Sequence, residues 1–195
     1  MKRIALVERN TNETSITIKL DLDGSGTYSV KTGIGFFDHM LAQVSRHGFF
    51  DLTINCSGDL DVDTHHTAED TGIALGMAFS QALGGKEGIC RYGSAFVPMD
   101  ESLALCAIDF SGRPFLAYDT QFTALRIGDL DSEMIEEFFR AFAIHAQCTL
   151  HIKLISGKNN HHMAEAVFKA FGQAIDQAVS PDRRIIGPRS TKGVL

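Results

Sequence analysis

A short motif that occurs twice constrains this chain more than any other feature. The two copies are His65-His66-x-x-Glu69 and His161-His162-x-x-Glu165. Each of the three residues recurs after 96 positions, since 161−65, 162−66 and 165−69 give the same offset. A single pair of adjacent histidines is more often part of a solvated loop, because short motifs match by chance. Two copies in register instead predict a duplicated fold that carries a duplicated set of metal ligands.

The spacing within each motif predicts how many ions are bound. Each copy is predicted to open an amphipathic helix, so His65 and Glu69, four residues apart, share one face. The adjacent His66 then points about 100° away. One motif therefore cannot easily place both of its histidines on a single ion. Two ions are expected, each bound by a His and the Glu of one motif and by the second His of the other.

The duplication extends beyond the motif. Residues 51–54 align with residues 149–152 at an offset of 98 (149−51), and the change to 96 falls in the loop that follows. We therefore predict an α+β fold built from an internally duplicated β-sheet/helix unit. The first half spans residues 1–88 and the second spans residues 89–195, and together they form one catalytic domain.

Apolar periodicity predicts the elements of each half. The first half is expected to contain strands over 16–22 and 27–32 joined as a hairpin by the turn 23–26, a helix over 36–46, a strand over 49–56 and the first motif helix, ending near 83. The second is expected to contain strands over 94–98, 103–110 and 115–120, a helix over 132–146, a strand over 149–155 and the second motif helix, ending near 179.

The same alignment suggests a third ligand position in each half. His39 corresponds to Glu137 (137−39 is 98), and His47 corresponds to His145 (145−47 is 98). A histidine on a helix is more often packed than metal-bound. The correspondence of His39 with a carboxylate nevertheless favours ligation. His39 and His47 are separated by about 12 Å along a helix, so they cannot bind one ion together.

Composition limits the possible partners and location. The chain has 195 residues, of which 44% are hydrophobic, so it can bury a sizeable core. Its net charge of −6 argues against nucleic acid or an anionic membrane as the main partner. The apolar run at the start is too short for a signal peptide or a membrane span. Four widely spaced cysteines without a C-x-x-C motif predict buried free thiols, and a cytoplasmic location is expected: Cys56, Cys90, Cys106 and Cys148.

Several further segments resemble a known family. They are Arg9 to Thr14, Gly35 to Leu41, Asp63 to Asp70, Met99 to Glu101, the second motif with Phe168 to Ala170, and Ser190 to Gly193. Together they are similar to the imidazoleglycerol-phosphate dehydratases of histidine biosynthesis, over nearly the whole chain. The resemblance implies a hydro-lyase with repeats like ribosomal protein S5 domain 2, and two Mn²⁺ ions per active site. It also implies a large homo-oligomer of cubic symmetry, about 24 copies, with active sites at subunit interfaces.

The resemblance also implies which residues bind the metal. These are His39, His65, His66, Glu69, His161, His162 and Glu165, with an eighth ligand at position 137. The family often has a histidine at that position, where this chain has Glu137. Because a carboxylate is an acceptable manganese ligand, the site is expected to survive with altered charge. His145 is the alternative eighth ligand.

The reaction that the resemblance implies explains the need for two metals. The substrate loses a hydroxyl beside its imidazole and a proton from a carbon that no carbonyl acidifies. Two metals could hold the ring as imidazolate, which can expel the hydroxide. Glu13 is the expected acid/base, with Asp100 as second choice. The implied substrate-binding residues are Glu13, Gln43, His47, Arg91, Arg113, Lys169, Ser190 and Lys192.

Two other classes of function remain open at this point. A metallohydrolase such as a phosphatase would use a metal-activated water and an Asp/Glu cluster, whereas this ligand set is richer in histidine. A metal-storage or structural protein would need the ligands but would not need Glu13 or the arginines. Replacing Glu13 with alanine would therefore separate storage from dehydration.

Overall fold

The computed structural model describes residues 2–194, so the outer limits of the predicted halves, residues 1 and 195, lie outside the described range. The first half contains β1 (Ile4–Asn10), β2 (Thr14–Asp21), β3 (Tyr28–Lys31), α1 (Gly35–Gly48), β4 (Asp51–Gly58) and α2 (His65–Leu83). The second half contains β5 (Tyr92–Met99), β6 (Ser102–Asp109), β7 (Phe115–Asp119), β8 (Arg126–Ile127), β9 (Leu130–Asp131), α3 (Met134–His145), β10 (Thr149–Ser156) and α4 (Asn160–Val179).

The two halves have the same sheet topology. The strand order is β1-β2-β4-β3 in one sheet and β5-β6-β10-β7 in the other. In each, the last strand of the order pairs in parallel and the others pair antiparallel. β10 begins and ends 98 residues after β4 (149−51 and 156−58). The predicted α+β fold and its duplication are therefore confirmed.

The predicted hairpin between the second and third strands is wrong. β2 pairs with β1 on one side and with β4 on the other, and β3 lies at the far edge, parallel to β4. The sequence reading missed β1 because its first residues, Ile4 to Val7, are apolar without alternation. Without β1, the turn at residues 23–26 favoured pairing between neighbours in sequence. The actual connection from β2 to β3 crosses over β4.

Each half covers one face of its sheet with its own helices, and the two helical layers pack against each other. α2 lies on β1 and β2, α4 lies on β5 and β6, and the pairs α1–α4 and α2–α3 join the halves. A single apolar cluster runs through both halves. The predicted boundary between residues 88 and 89 lies in the connection between α2 and β5. The exact limits of the two halves stay a prediction.

A pair of equivalent glycines lets the helices approach closely. Gly76 in α2 and Gly172 in α4 are 96 residues apart (172−76). A Cβ atom on Gly172 would lie 2.7 Å from the carbonyl oxygen of Val44 in α1, and one on Gly76 would lie 2.8 Å from that of Phe142 in α3. Each motif helix is therefore held directly against the helix that carries a predicted third ligand.

Two further predictions concern the four cysteines and the absence of a membrane span. All four cysteines are free; Cys106 and Cys148 are buried, whereas Cys56 and Cys90 are half-buried, so the prediction of burial is right for two of them. Burial raises the pKa of Cys56 to about 11, so this thiol is protonated at neutral pH. Within residues 2–194, no helix is both long and apolar enough to cross a membrane.

Candidate metal centre

Both histidine motifs lie in the first turn of a helix. α2 begins at His65 and α4 begins at Asn160, one residue before His161. The side chain of Asn159 caps α4 by accepting a hydrogen bond from the backbone N–H of His161 at 2.9 Å. The predicted placement at helix starts is therefore confirmed, and it brings each ligand set to the end of a helical layer.

The first group of predicted ligands joins the two halves. His39 from α1 meets His161 and Glu165 from α4, and one donor atom of each lies within 4.8 Å of the others. The Nε2 atoms of His161 and His39 lie 3.1 Å and 3.5 Å from the same oxygen, Oε2 of Glu165. The structure thus assembles three of the predicted ligands, and His39 is among them.

Glu165 is the buried member of this group. Burial opposes ionisation of its carboxyl, but Lys169, with its Nζ 2.7 Å from Oε1, and the two histidines lower its pKa below the usual value. Glu165 is therefore an anion at neutral pH. Lys169, which the resemblance implied as a substrate-binding cation, is in this chain the ion-pair partner of Glu165.

The corresponding group in the other helix pair is less complete. His65 Nε2 lies 3.4 Å from Oε2 of Glu69, as the helix spacing predicts. Glu137 occupies on α3 the position of His39 on α1, but its Oε2 lies 3.3 Å from Nε of Arg140 in the same helix. His145 directs its Nδ1 at the carbonyl oxygen of Ala141 at 2.9 Å. The roles of Glu137 and His145 as ligands stay predictions.

The second histidine of each motif turns away, as predicted. Nδ1 of His66 lies 2.9 Å from a carboxylate oxygen of Asp59, and Nδ1 of His162 lies 2.8 Å from one of Glu101. These hydrogen bonds, more than the nearby charges, raise the pKa of both histidines. The bond from His162, together with the backbone N–H of Asn159, holds the pKa of Glu101 well below its usual range.

The two predicted acid/base residues lie in equivalent hairpin turns. Glu13 lies between β1 and β2, with its Oε1 3.6 Å from Nε2 of His66 and its side chain 51% exposed. Thr14 anchors this turn to α2 by donating to Oδ2 of Asp70 at 2.5 Å. Asp100, between β5 and β6, has a φ of 49° and a carboxylate 3.8 Å from Nδ1 of His162.

The sequence analysis did not single out Asp59 and Glu101, the two carboxylates that contact the second histidines. A signal for Glu101 was available, since β2 begins at Thr14 and β6 at Ser102, so that Glu13 and Glu101 each immediately precede corresponding strands. No such repeat marks Asp59, which lies in the loop between β4 and α2.

A separate cleft gathers most of the predicted phosphate-binding residues. It encloses about 600 Å³ and is lined by Arg91, Tyr92, Arg113, Arg189, Ser190, Thr191, Lys192 and Val194. We call it the cationic cleft. Arg91 is buried there, and its guanidinium bonds to both carboxylate oxygens of Asp109 at 2.6 and 3.0 Å. Arg189 was not among the predicted substrate-binding residues.

Gln43 and His47 lie elsewhere, half-buried on α1. Burial, and then the positive charge of Lys169, lower the pKa of His47, so this ring is neutral at neutral pH.

Comparison with known proteins decides the family. The family model described as imidazoleglycerol-phosphate dehydratase matches residues 32–175. This chain belongs to the imidazoleglycerol-phosphate dehydratase family. The enzyme of that name from Clostridium acetobutylicum is 57% identical over 194 residues, which cover 100% of this chain and 98% of the relative. The predicted family and the predicted class, a hydro-lyase of histidine biosynthesis, are therefore confirmed.

Solved dehydratase structures have the same fold. The crystal structure of imidazoleglycerol-phosphate dehydratase from Staphylococcus aureus is 37% identical, with a TM-score of 0.83, and the match covers 92% of this chain and 99% of that one. The structure from Pyrococcus furiosus, solved in complex with (S)-C348, is 34% identical, with a TM-score of 0.84, and covers 97% and 100%. The duplicated fold is thus shared along nearly the full length of this dehydratase family member.

An insertion in the second half caps the start of α1, the helix that carries His39. Between the third strand and the next helix, residues 120–133 replace a connection of only three residues, 32–34, in the first half. Asp129 in this insertion accepts hydrogen bonds from the backbone N–H groups of Gly35 at 2.6 Å and Phe36 at 2.8 Å. It caps α1 across the two halves, since Ile34, at the N-cap position, makes no side-chain cap.

Replacing Asp129 with alanine is expected to lower the free energy of unfolding by about 1 kcal/mol at neutral pH, the usual effect of losing an N-cap. Burial opposes ionisation of Asp129, but the two backbone N–H groups outweigh it and lower the pKa below 3.8. The contribution of a carboxyl with a lowered pKa is complete above 3.8 and is lost as the pH falls through the folded-state pKa. The difference between wild type and variant should therefore shrink in acid.

Urea unfolding at neutral pH, and at the lowest pH at which the wild type still folds, measures this effect. Asp119→Ala is the matched control, because it removes only an exposed ion pair with Lys153. Equal losses in the two variants at neutral pH would show that Asp129 does not stabilise the helix.

Proposed function

We propose that this chain converts imidazoleglycerol phosphate to imidazoleacetol phosphate and water at a site that binds two manganese ions, in the cytoplasm. The observation that carries the proposal is the group of His39, His161 and Glu165, whose donor atoms lie within 4.8 Å of one another in a chain of the dehydratase family. A second His–Glu pair, His65 and Glu69, lies in the equivalent place on α2.

The donor set fits Mn²⁺. Imidazole suits borderline transition metals and carboxylate suits harder cations, so a mixed set accepts manganese as well as other divalent ions. The residues that would bind the two ions are His39, His65, His66, Glu69, Glu137, His161, His162 and Glu165. Glu137, in place of the usual histidine, would add one negative charge to the set that contains His65 and Glu69.

The chain's own residues would bind the substrate and move its protons. Two bound ions would supply the Lewis acidity that holds the substrate ring as imidazolate. Glu13 would remove the proton from the neighbouring carbon, because its carboxylate is exposed and lies 3.6 Å from a predicted ligand, His66. Asp100, at the equivalent turn, is the second candidate.

The cationic cleft lies at one end of α4, and the group of His39, His161 and Glu165, which we call the ligand group, lies at the other. His161 lies in the first turn of α4, whereas the backbone N–H of Arg91 donates to the carbonyl oxygen of Ala178 in the last turn, at 2.8 Å. Ala178 follows His161 by 17 positions (178−161), which correspond to about 25 Å along the helix. The short carbon chain between the imidazole and the phosphate of the substrate cannot bridge that distance. One chain therefore cannot supply both its own ligand group and its own cleft to one substrate molecule.

This separation supports active sites at subunit interfaces. The cleft of one copy would bind the phosphate while the helix ends of other copies bind the ring, and His66 and His162 would reach ions held mainly by neighbours. We propose a large homo-oligomer of cubic symmetry, about 24 copies, which is the assembly that the resemblance to the dehydratase family implies. Ions that bind only the assembled form would stabilise it by mass action.

The decisive experiment is turnover of imidazoleglycerol phosphate by chelator-treated protein with and without Mn²⁺. Activity is expected to return with Mn²⁺ in the wild type, and the double variant His65→Ala/His161→Ala is expected to stay inactive because each ion loses a ligand. Absence of turnover by fully metal-loaded wild type would contradict the proposed reaction.

Glu13→Gln is expected to lower kcat by a factor of about 10² to 10⁴, the usual contribution of a general acid/base, with little change in Mn²⁺ affinity. Glu8→Gln is a matched control, since Glu8 is an exposed carboxylate on β1 of the same hairpin. A metal-storage protein would respond to neither change. Full activity of Glu13→Gln would assign the proton transfer to another group, with Asp100→Asn as the next variant to assay.

Mixing two inactive variants tests the interface. His161→Ala damages the ligand end and Arg113→Glu damages the cationic cleft, so each alone should lose activity at low substrate concentration. Random co-assembly after chelation and Mn²⁺ addition should restore up to about a quarter of wild-type activity, because some interfaces then combine two intact surfaces. Activity no higher than the sum of the separate variants would place each active site within one chain.

A further inference from the structure

The second histidine of each motif is held by a carboxylate outside the predicted ligand set. Asp59 places both carboxylate oxygens near Nδ1 of His66, at 2.9 and 3.2 Å, and Oε2 of Glu101 lies 2.8 Å from Nδ1 of His162. The two contacts arise from different parts of the duplicated unit. Asp59 lies between β4 and α2, whereas Glu101 lies in the hairpin turn between β5 and β6.

These contacts determine which ring nitrogen can bind a metal. An ionised carboxylate only accepts hydrogen bonds, so the Nδ1 atom that faces it must carry the proton. The neutral ring then presents Nε2 as an unprotonated donor of its lone pair. The first histidines are arranged differently, because His65 and His161 direct Nε2 at the glutamate of their own motif.

The equivalent carboxylates Glu13 and Glu101 have diverged. Oε1 of Glu101 accepts from the backbone N–H groups of Lys158 at 3.1 Å and Asn159 at 2.8 Å, while Oε2 accepts from His162. Glu13 lies 3.6 Å from Nε2 of His66 and has its side chain 51% exposed. In the first half Asp59 takes over the contact with Nδ1 of the histidine. Because Asp59 makes this contact, Glu13 stays available for the substrate.

We infer that Asp59 and Glu101 are positioning residues, which hold His66 and His162 in the Nδ1–H tautomer and so leave Nε2 as the nitrogen that would bind a metal ion. This inference rests on the proposed two-metal function for its purpose, although the tautomers themselves do not depend on metal. It also explains why the two equivalent turns differ. Glu101 in the second half orients a predicted ligand, whereas Glu13 in the first half takes part in the proposed reaction.

Glu101→Gln gives a sharp test because a carboxamide has one oxygen. If that oxygen accepts from the backbone N–H groups of Lys158 and Asn159, the NH₂ group faces Nδ1 of His162 and favours the tautomer with the proton on Nε2. Asp59→Asn is milder, since both carboxylate oxygens face the same Nδ1 atom and the amide can keep its oxygen there. Glu101→Gln is therefore expected to lower Mn²⁺ affinity by about 10- to 100-fold, and Asp59→Asn by less.

Two measurements on the full-length chain check this. Long-range ¹H–¹⁵N spectra of chelator-treated protein, recorded at a pH at which the ring is neutral, identify the protonated nitrogen of His162. It should be Nδ1 in the wild type and Nε2 in Glu101→Gln. Calorimetric titration with Mn²⁺ gives the affinities. Glu133→Gln, an exposed carboxylate at the N-cap position of α3, is the control and should leave both readouts unchanged.

The outcomes separate this inference from the proposed function. An unchanged tautomer of His162 in Glu101→Gln would overturn the inference, even if Mn²⁺ affinity fell. If Glu101→Gln fails to fold, Asp59→Ala replaces it, and retention of a single Nδ1–H tautomer at His66 would overturn the inference in the same way. Failure of wild type to bind Mn²⁺ would instead contradict the proposed function, because the tautomer spectra are recorded without metal.

Discussion

The geometry of the α-helix controls how this site is built. In a helix start that reads His-His-x-x-Glu, the first histidine and the glutamate meet, as His161 and Glu165 do at 3.1 Å. The second histidine must then point elsewhere. The two histidines of each motif therefore lie in two different places. Other elements of the protein must supply the remaining residues around each of them. The proposed third ligand from α1, the carboxylates that hold His66 and His162, and the proposed neighbouring copies all follow from this constraint.

Close packing of helix pairs brings His39 to the histidine and glutamate of the second motif. Gly172 lets α4 approach α1, which places His39 3.5 Å from Glu165, and the equivalent Gly76 lets α2 approach α3. The capping of α1 by Asp129 further ties the insertion in the second half to a helix of the first. The ligand group is thus a product of both halves, and neither half could form it alone.

Duplication supplied two similar sites, and divergence gave their parts different tasks. Glu13 and Glu101 begin from equivalent hairpin positions, yet one is exposed beside a histidine and the other is saturated with hydrogen bonds. The cationic cleft, where Arg91 pairs with Asp109, lies at the far end of α4 from the ligand group. Dividing the site in this way makes assembly of several copies a condition for activity in the proposed mechanism.

The sequence by itself determined the repeat, the start of both motif helices and the different directions of adjacent histidines, because local periodicity and helix geometry decide these. Its repeat also led to His39, through an offset that β4 and β10 reproduce. Only the tertiary structure decided that β3 pairs with β4 instead of β2, and that Asp59 and Glu101 hold the second histidines. These contacts join residues whose proximity depends on strand order and helix packing, which no local pattern in the chain encodes.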